Sequence, residues 1–282
     1  MKVNVIGDIH GRTNWKNVVI PDGINVFVGD YFDPYTDISA NSMVENFLEI
    51  MDFKSKRPET ILLYGNHDFH YIVPAYGGTT SRYSRYSAKR FKEVFDEFTD
   101  QFHGIAYAPD STHLITHAGV TKEWLDRYLD RDDLVSIDKP DGSRVPITKE
   151  MEHFVNRLWY DSKETETSYE KYEFSFMSNF DYWDTYGETP TQSPIWIRPT
   201  SLISHNAYSQ TGVIQIVGHT QVNNVVDLSK ETEIRPGEYI TPGLILVDCL
   251  GQKTESCVFD SPLDNLSESE MNYIRKSIEH GR

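Results

Sequence analysis

Apolar residues fall in short runs through the first part of the chain. Residues Lys2–Ile6, 24–28, 60–64 and His113–Thr116 are rich in Val, Ile and Leu and read as buried strands. Between the second and third runs the period lengthens. A helix starts near Ser39, with Met43, Phe47, Leu48, Ile50 and Met51 as its apolar face and Pro58 marking its end. A second helix, 87–100, buries Phe91, Val94, Phe95 and Phe98 at the same spacing. Strand and helix in alternation predict a mainly parallel sheet covered by helices. In such sheets functional side chains gather beyond the carboxyl ends of the strands.

From about 121 to 212 the rhythm breaks. Helices are expected at 121–130 and 148–160. Residues 164–191 are dense in acids and aromatics without a clear period, and they read as an insertion folded over the site or packed on its rim. Strands resume at 213–217 and 244–247, with another at 257–259, as a second, partly antiparallel set. A tail helix from Ser267 would present Met271, Ile274 and Ile278 on one face. With no repeat and no linker, the chain reads as one domain, 1–282, carrying a variable insertion at about 121–212.

The strand ends carry the chemistry. They read Gly7-Asp8-Ile9-His10-Gly11, Gly29-Asp30-Tyr31-Phe32-Asp33, Gly65-Asn66-His67-Asp68, Thr116-His117-Ala118-Gly119 and Gly218-His219-Thr220. Residues i and i+2 of extended chain point the same way, so Asp8 and His10 can reach one ion. Asp30 has two oxygens and is assigned as the bridge between two ions. Asn66, His117 and His219 complete a set of oxygen and nitrogen donors. That set suits Mn²⁺, iron or Zn²⁺, with Mn²⁺ the first choice, and no thiolate accompanies it. Two ions roughly 3.5–4 Å apart would bind phosphoryl oxygens and generate a bridging hydroxide for in-line attack. His67, next to Asn66, is placed as general acid for the leaving group. Asp33 would orient its ring, and Asp68 would support the ligands from behind or simply cap its loop.

Charge and cysteine content narrow the partners. The 282 residues hold 27 Lys and Arg against 43 Asp and Glu, a net charge of −16. Such a surface repels extended nucleic acid, while bound dications would still admit a phosphorylated protein or small phosphoester. No apolar run approaches the ~20 residues needed to span a bilayer, no leader precedes the first strand, and no membrane partner is expected. The expected setting is the cytoplasm. There Cys249 and Cys257, flanking an expected hairpin turn near Gly251, would stay reduced.

These motifs together resemble the calcineurin-like metallophosphoesterases, and within them the phosphoprotein phosphatase branch, over about 1–120 and 213–250. The resemblance implies a four-layer α/β/β/α sandwich with two central mixed sheets. It implies that Asp8, His10 and Asp30 hold one ion and that Asp30, Asn66, His117 and His219 hold the other, with His67 and Asp33 as the leaving-group dyad. The chain departs from the family where a phosphate-gripping arginine is replaced by Pro34. Arg198, in a stretch similar to one carrying a phosphate-binding arginine in bacterial relatives, and Arg12 are the candidates to replace it, each weighed against a plain surface role. Gln221 stands where many diesterase members carry a further histidine, which favours the phosphatase branch.

The reaction expected is hydrolysis of phosphomonoesters, in the manner of serine/threonine protein phosphatases. The alternative is a dinucleoside polyphosphate hydrolase or another small-phosphoester hydrolase. A third reading, an inactive binding scaffold, is at odds with the full set of ligands and the retained His67.

Overall fold

A computed structural model of the chain describes residues 1–73, 82–129, 134–164, 176, 188–235 and 237–261. Two mixed sheets form its centre. In the first, β1 (Lys2–Ile6), β2 (Ile24–Phe27) and β3 (Ile61–Leu62) run parallel, and β13 (Cys257–Asp260) pairs antiparallel with the outer side of β1. In the second, β5 (His113–Thr116), β8 (Ile214–Val217) and β12 (Leu244–Leu246) run parallel between antiparallel edges β4 (Ala106–Tyr107) and β9 (Val226–Leu228). Two small hairpins, β6 (Ser136–Asp138) with β7 (Arg144–Pro146) and β10 (Thr232–Arg235) with β11 (Glu238–Ile240), lie apart from these.

Alternation along the strands explains the layering. Val3, Val5, Val26 and Val28 face inward and meet Ile115, Ile216, Ile245 and Val247 of the second sheet in one apolar cluster. Ile6, Phe27 and Leu62 point the other way and are covered by α1 (Ala40–Lys56) and α3 (Ala88–Glu97). On the far side, α6 (Pro199–His205) brings Leu202, with Ile197 before it, onto Val217, Leu244 and Leu246. The remaining helices are α2 (Asn66–Ile72), α4 (Lys122–Tyr128) and α5 (Thr148–Glu164), the last packed on β4 and β5. The result is helix, sheet, sheet, helix.

Helix α1 starts where the capping residue predicts, with Ser39 Oγ accepting from the Ser42 amide at 3.1 Å. Met43, Phe47, Ile50 and Met51 are buried, whereas Leu48 is 41% exposed. Leu48 lies five residues after Met43, a step that carries it around the helix and off the buried stripe. Helix α3 is shorter than its pattern, ending at Glu97 before a 3₁₀ turn at Thr99–Gln101; Phe91 and Phe95 are buried, and Val94 and Phe98 only partly.

Two expectations about strand partners are corrected. His113–Thr116 belongs to the second sheet, not to the parallel run of the first. The turn near Gly251 is real, with the Gln252 and Lys253 amides donating to the Cys249 carbonyl, yet it joins no hairpin. After it the chain crosses to the first sheet, because β1 still has an open edge for β13. Cys249 and Cys257 therefore serve different sheets; both thiols are free, and burial pushes each up to about 11.

The expected tail helix from Ser267 and most of 164–191 lie outside the described residues. Phe176 is described, and it is buried against Trp159 and Trp124 as part of the core. Among the described residues no helix is long and apolar enough to cross a membrane.

Candidate metal centre

Every strand-end cassette reaches one place, beyond the carboxyl ends of β1, β2, β3, β5 and β8. The backbone is bent to achieve it. His10, Asp30, Asp33 and His219 all have positive φ, between 45° and 63°, which costs free energy in residues with a side chain. Glycine makes the close approach feasible. A Cβ on Gly65 would lie 2.2 Å from Asp30 Oδ1, and one on Gly218 would lie 2.3 Å from Asp8 Oδ1.

Asp8, His10, Asp30, Asn66 and His117 are each no more than 3% exposed, and His219 is 9%. One donor atom each from Asp8, His10 and Asp30 lies within 4.8 Å of the others. His10 Nε2 is 3.7 Å from Asp30 Oδ2 and 3.9 Å from Asp8 Oδ2, and His117 Nε2 is 3.6 Å from Asp30 Oδ2. His117 Nε2 and His219 Nδ1 both approach Asn66 Oδ1 to 2.9 Å. All six sequence-assigned ligands thus converge.

The protons on the three imidazoles identify what this cavity accepts. His10 Nδ1 lies 2.9 Å from the Phe32 carbonyl, His117 Nδ1 2.8 Å from Val28, and His219 Nε2 3.0 Å from Trp196. A carbonyl only accepts, so each of these nitrogens carries the hydrogen. Burial holds all three rings neutral: it takes His10 down to about 3 and lowers His117 and His219 as well. Their other nitrogens therefore face the amide oxygen and the carboxylates as bare lone pairs. Acceptors facing acceptors around one buried point form an arrangement that suits a cation between them. Turning the Asn66 amide end for end would relieve its own contacts, and a proton would relieve those of Asp8, but Asp30, whose pKa lies below the usual range, keeps its charge among the facing nitrogens.

The carboxylates make the same demand. Burial first, then the charges of Asp248 and Asp30, raise the Asp8 pKa well above the usual carboxylate range. Burial would raise Asp30 too, but the positive charge that His117, His67 or His10 would carry if protonated, together with the His67 amide, pulls it below that range. Residues of this kind, with no thiolate, fit divalent ions of intermediate or hard character.

His67 and Asp33 meet as expected, Nδ1 to Oδ2 at 2.9 Å, and the His67 amide donates to Asp30 Oδ1 at 2.9 Å. Burial works to deprotonate the ring, yet Asp30, Asp33 and Asp68 outweigh it and raise its pKa. Asp68 is buried beneath the site and bonded to backbone. It accepts from the amides of Gly65, Asp30 and Tyr31 at 2.7–2.9 Å, tying the loop after β2 to the loop after β3. Arg12 and Arg198 both reach the rim. Arg12 Nη1 donates to the Asp8 carbonyl at 3.1 Å, while Arg198 Nη1 donates to the His219 carbonyl at 3.1 Å and to Thr220 Oγ1 at 3.0 Å. His205 stands apart, paired with Glu123 at 2.6 Å.

Three residues of the site escaped the sequence pattern. Asp248, just past β12, is buried, and its pKa is raised to about 6 by burial; its Oδ1 has no hydrogen-bond partner among the described residues. An apolar run ending in an acid was its one signal, without an adjoining glycine. Tyr35 sets its ring edge-on to His10 at 4.9 Å. Tyr71 donates to Asp33 Oδ1. Nothing in the pattern marks either tyrosine.

The family model of calcineurin-like phosphoesterases matches residues 1–235. The chain belongs to that family of metal-dependent phosphoric ester hydrolases, whose members generally bind two divalent ions. A solved protein serine/threonine phosphatase from Saccharomyces cerevisiae, with similarity to human phosphatase PP5, is 22% identical. That match covers 43% of this chain and 38% of the yeast chain with a TM-score of 0.32, too slight a superposition to support an argument.

Proposed function

We propose that the chain is a phosphomonoesterase of the serine/threonine protein phosphatase type. It works with two divalent ions, Mn²⁺ the first choice, held by Asp8, His10, Asp30, Asn66, His117 and His219. The observation that carries this reading is the ring of proton-free acceptors around one buried point, with His67 beside it. When bound, the ions supply a water acidic enough to attack at neutral pH and neutralise charge on the phosphoryl oxygens.

The chain's own residues do the rest. Asp30 lies between the two groups of ligands and is the residue able to serve both. Arg198 and Arg12 each have one nitrogen tied to backbone, which presents the rest of the guanidinium to the substrate's oxyanions. His67 keeps its Nδ1 hydrogen on Asp33 and delivers a proton from Nε2 to the leaving oxygen. Metal charge near Asp30 would weaken that carboxylate's hold on the ring, so Asp33 becomes the main group keeping His67 protonated. An acidic chain with both thiols unpaired fits a cytoplasmic setting.

The test is metal content after purification without added metal, together with product analysis. Inorganic phosphate released from a phosphoserine peptide with Mn²⁺ is the expected result. Release of nucleoside diphosphates from diadenosine tetraphosphate, with the peptide untouched, would overturn the assignment in favour of a polyphosphate hydrolase. No turnover of either, nor of a generic aryl phosphate, by metal-loaded protein would favour the scaffold reading.

A further inference from the structure

We propose that Tyr71 is a positioning residue for the general acid, the outer end of a relay of defined polarity running Ser84–Tyr71–Asp33–His67. The inference rests on the phosphomonoesterase reading for what His67 does, but not for how the relay is built. The Ser84 backbone N–H lies 3.1 Å from the Tyr71 hydroxyl oxygen. An amide N–H can only donate, so the hydroxyl accepts there, and its single hydrogen goes to Asp33 Oδ1. Asp33 then has Oδ2 for the hydrogen on His67 Nδ1, at 2.9 Å. Each link has one allowed direction. The end of the relay is a His67 whose tautomer is fixed and whose Nε2 is the nitrogen left for proton transfer.

The tyrosine cannot easily swing away. Its ring is 1% exposed, stacked on Tyr83 at 5.0 Å and held edge-on by Phe91 at 5.0 Å. The segment Tyr83–Ser84 thus contributes both a wall and a hydrogen bond. The carboxylate it serves sits at positive φ, 58°, in a conformation that an aspartate holds only when its surroundings define it. With one oxygen on Tyr71 and the other on His67, Asp33 cannot rotate without losing both partners.

In the reaction a water oxygen bonds to phosphorus and gives up a proton to solvent, the bond from phosphorus to the leaving oxygen breaks with its electron pair moving onto that oxygen, and the proton from His67 Nε2 goes to it. Asp33 and Tyr71 keep their protonation. Their contribution is the aim of the imidazole, so it matters in proportion to how badly the leaving group needs a proton. A basic alkoxide needs one as the bond breaks, whereas nitrophenolate leaves almost without help.

The experiment compares Tyr71→Phe with the unaltered enzyme on two substrates, a phosphoserine peptide and 4-nitrophenyl phosphate. The expected result is a fall in kcat of about tenfold or more on the peptide and less than about twofold on the aryl ester, with KM little changed. In an Asp33→Asn background the Tyr71→Phe change should add nothing further on the peptide. Equal losses on both substrates, no loss, or additive losses in the double variant would each overturn the role. A readout independent of turnover is the low-field proton resonance of His67 Nδ1–H in zinc-loaded protein. It should move in Tyr71→Phe, because Asp33 loses one donor and becomes a stronger acceptor. An unmoved resonance would overturn the relay. Failure of the unaltered enzyme on both esters would instead count against phosphomonoesterase function, leaving the resonance to decide the relay on its own.

Discussion

Strand β5 ends in two buried carboxylate sites of opposite character. At its amino end, Asp110 is 3% exposed and takes hydrogen bonds from Thr112, His113 and Ser261, side chains and amides together. These donors overcome burial and hold its carboxyl far below the usual range. Ser261 follows β13 of the first sheet, so the cluster fastens one sheet to the other. At the carboxyl end, Asp8, Asp30 and Asp248 are equally buried but face one another and the bare nitrogens of imidazoles. The chain satisfies the first site with its own hydrogens, whereas the second gathers acceptors in excess of its donors, the arrangement a cation would fill. A buried carboxylate is therefore informative through the atoms that face it, and burial alone says little.

The contrast can be broken at either end. The largest effect is expected at the metal centre: Asp30→Asn should abolish turnover and lower bound metal, measured by elemental analysis and phosphate release. The same change at Asp110 should leave metal content intact. Next comes His67→Asn, which should cut kcat by roughly 10²–10⁴-fold on an alkyl phosphoester while metal content stays at the unaltered level.

Asp110→Asn should cost about 2–3 kcal/mol of stability at neutral pH, read by denaturant unfolding, because an ionised acceptor is lost from several donors. The sign of its pH dependence follows from the lowered pKa. The folded value lies beneath the unfolded one near ~3.9, so the stabilisation is complete above that pH and fades as pH falls through the folded value. The unaltered protein should lose stability more steeply than Asp110→Asn on acidification.

Glu150 gives the smallest effect and a third case, a buried carboxylate with neither donors nor an ion. It is 4% exposed, and apart from a weak approach by the Val135 backbone its oxygens find no partner among the described residues. Burial raises its pKa to about 7. Here the folded value exceeds the unfolded one near ~4.3, so stability is full below that and declines as pH rises through about 7. Glu150→Gln should be more stable than the unaltered protein at pH 8 by about 1–2 kcal/mol and nearly equal at about pH 4, in melting scans at each pH.

How far the pattern of residues could be trusted depended on how local each feature is. Helix α1 was legible because Ser39 and the Met43, Phe47, Ile50 and Met51 stripe are set by neighbours within a few turns. The strand-end cassettes were legible because glycine beside a ligand-type residue marks a tight turn wherever it occurs. Leu48 shows the margin of such reading, one residue off the stripe and out in solvent. The return of β13 to β1 was hidden, since a strand's partner depends on which edge is left open elsewhere. Tyr71 was hidden for a similar reason, being one aromatic among many until Ser84 and Asp33 meet at its hydroxyl.

The sequence alone determined which residue types stand at the ends of the strands, and so the kind of ion and the kind of reaction to expect, because ligand chemistry is a property of side chains and short spacings. Tertiary structure decided which nitrogen of each imidazole is bare, which carboxylates face each other and which face donors, and which tyrosine touches Asp33. Those are contacts between residues as much as 211 positions apart, such as the His219 amide on Asp8 at 3.1 Å, and only the folded chain brings them within reach.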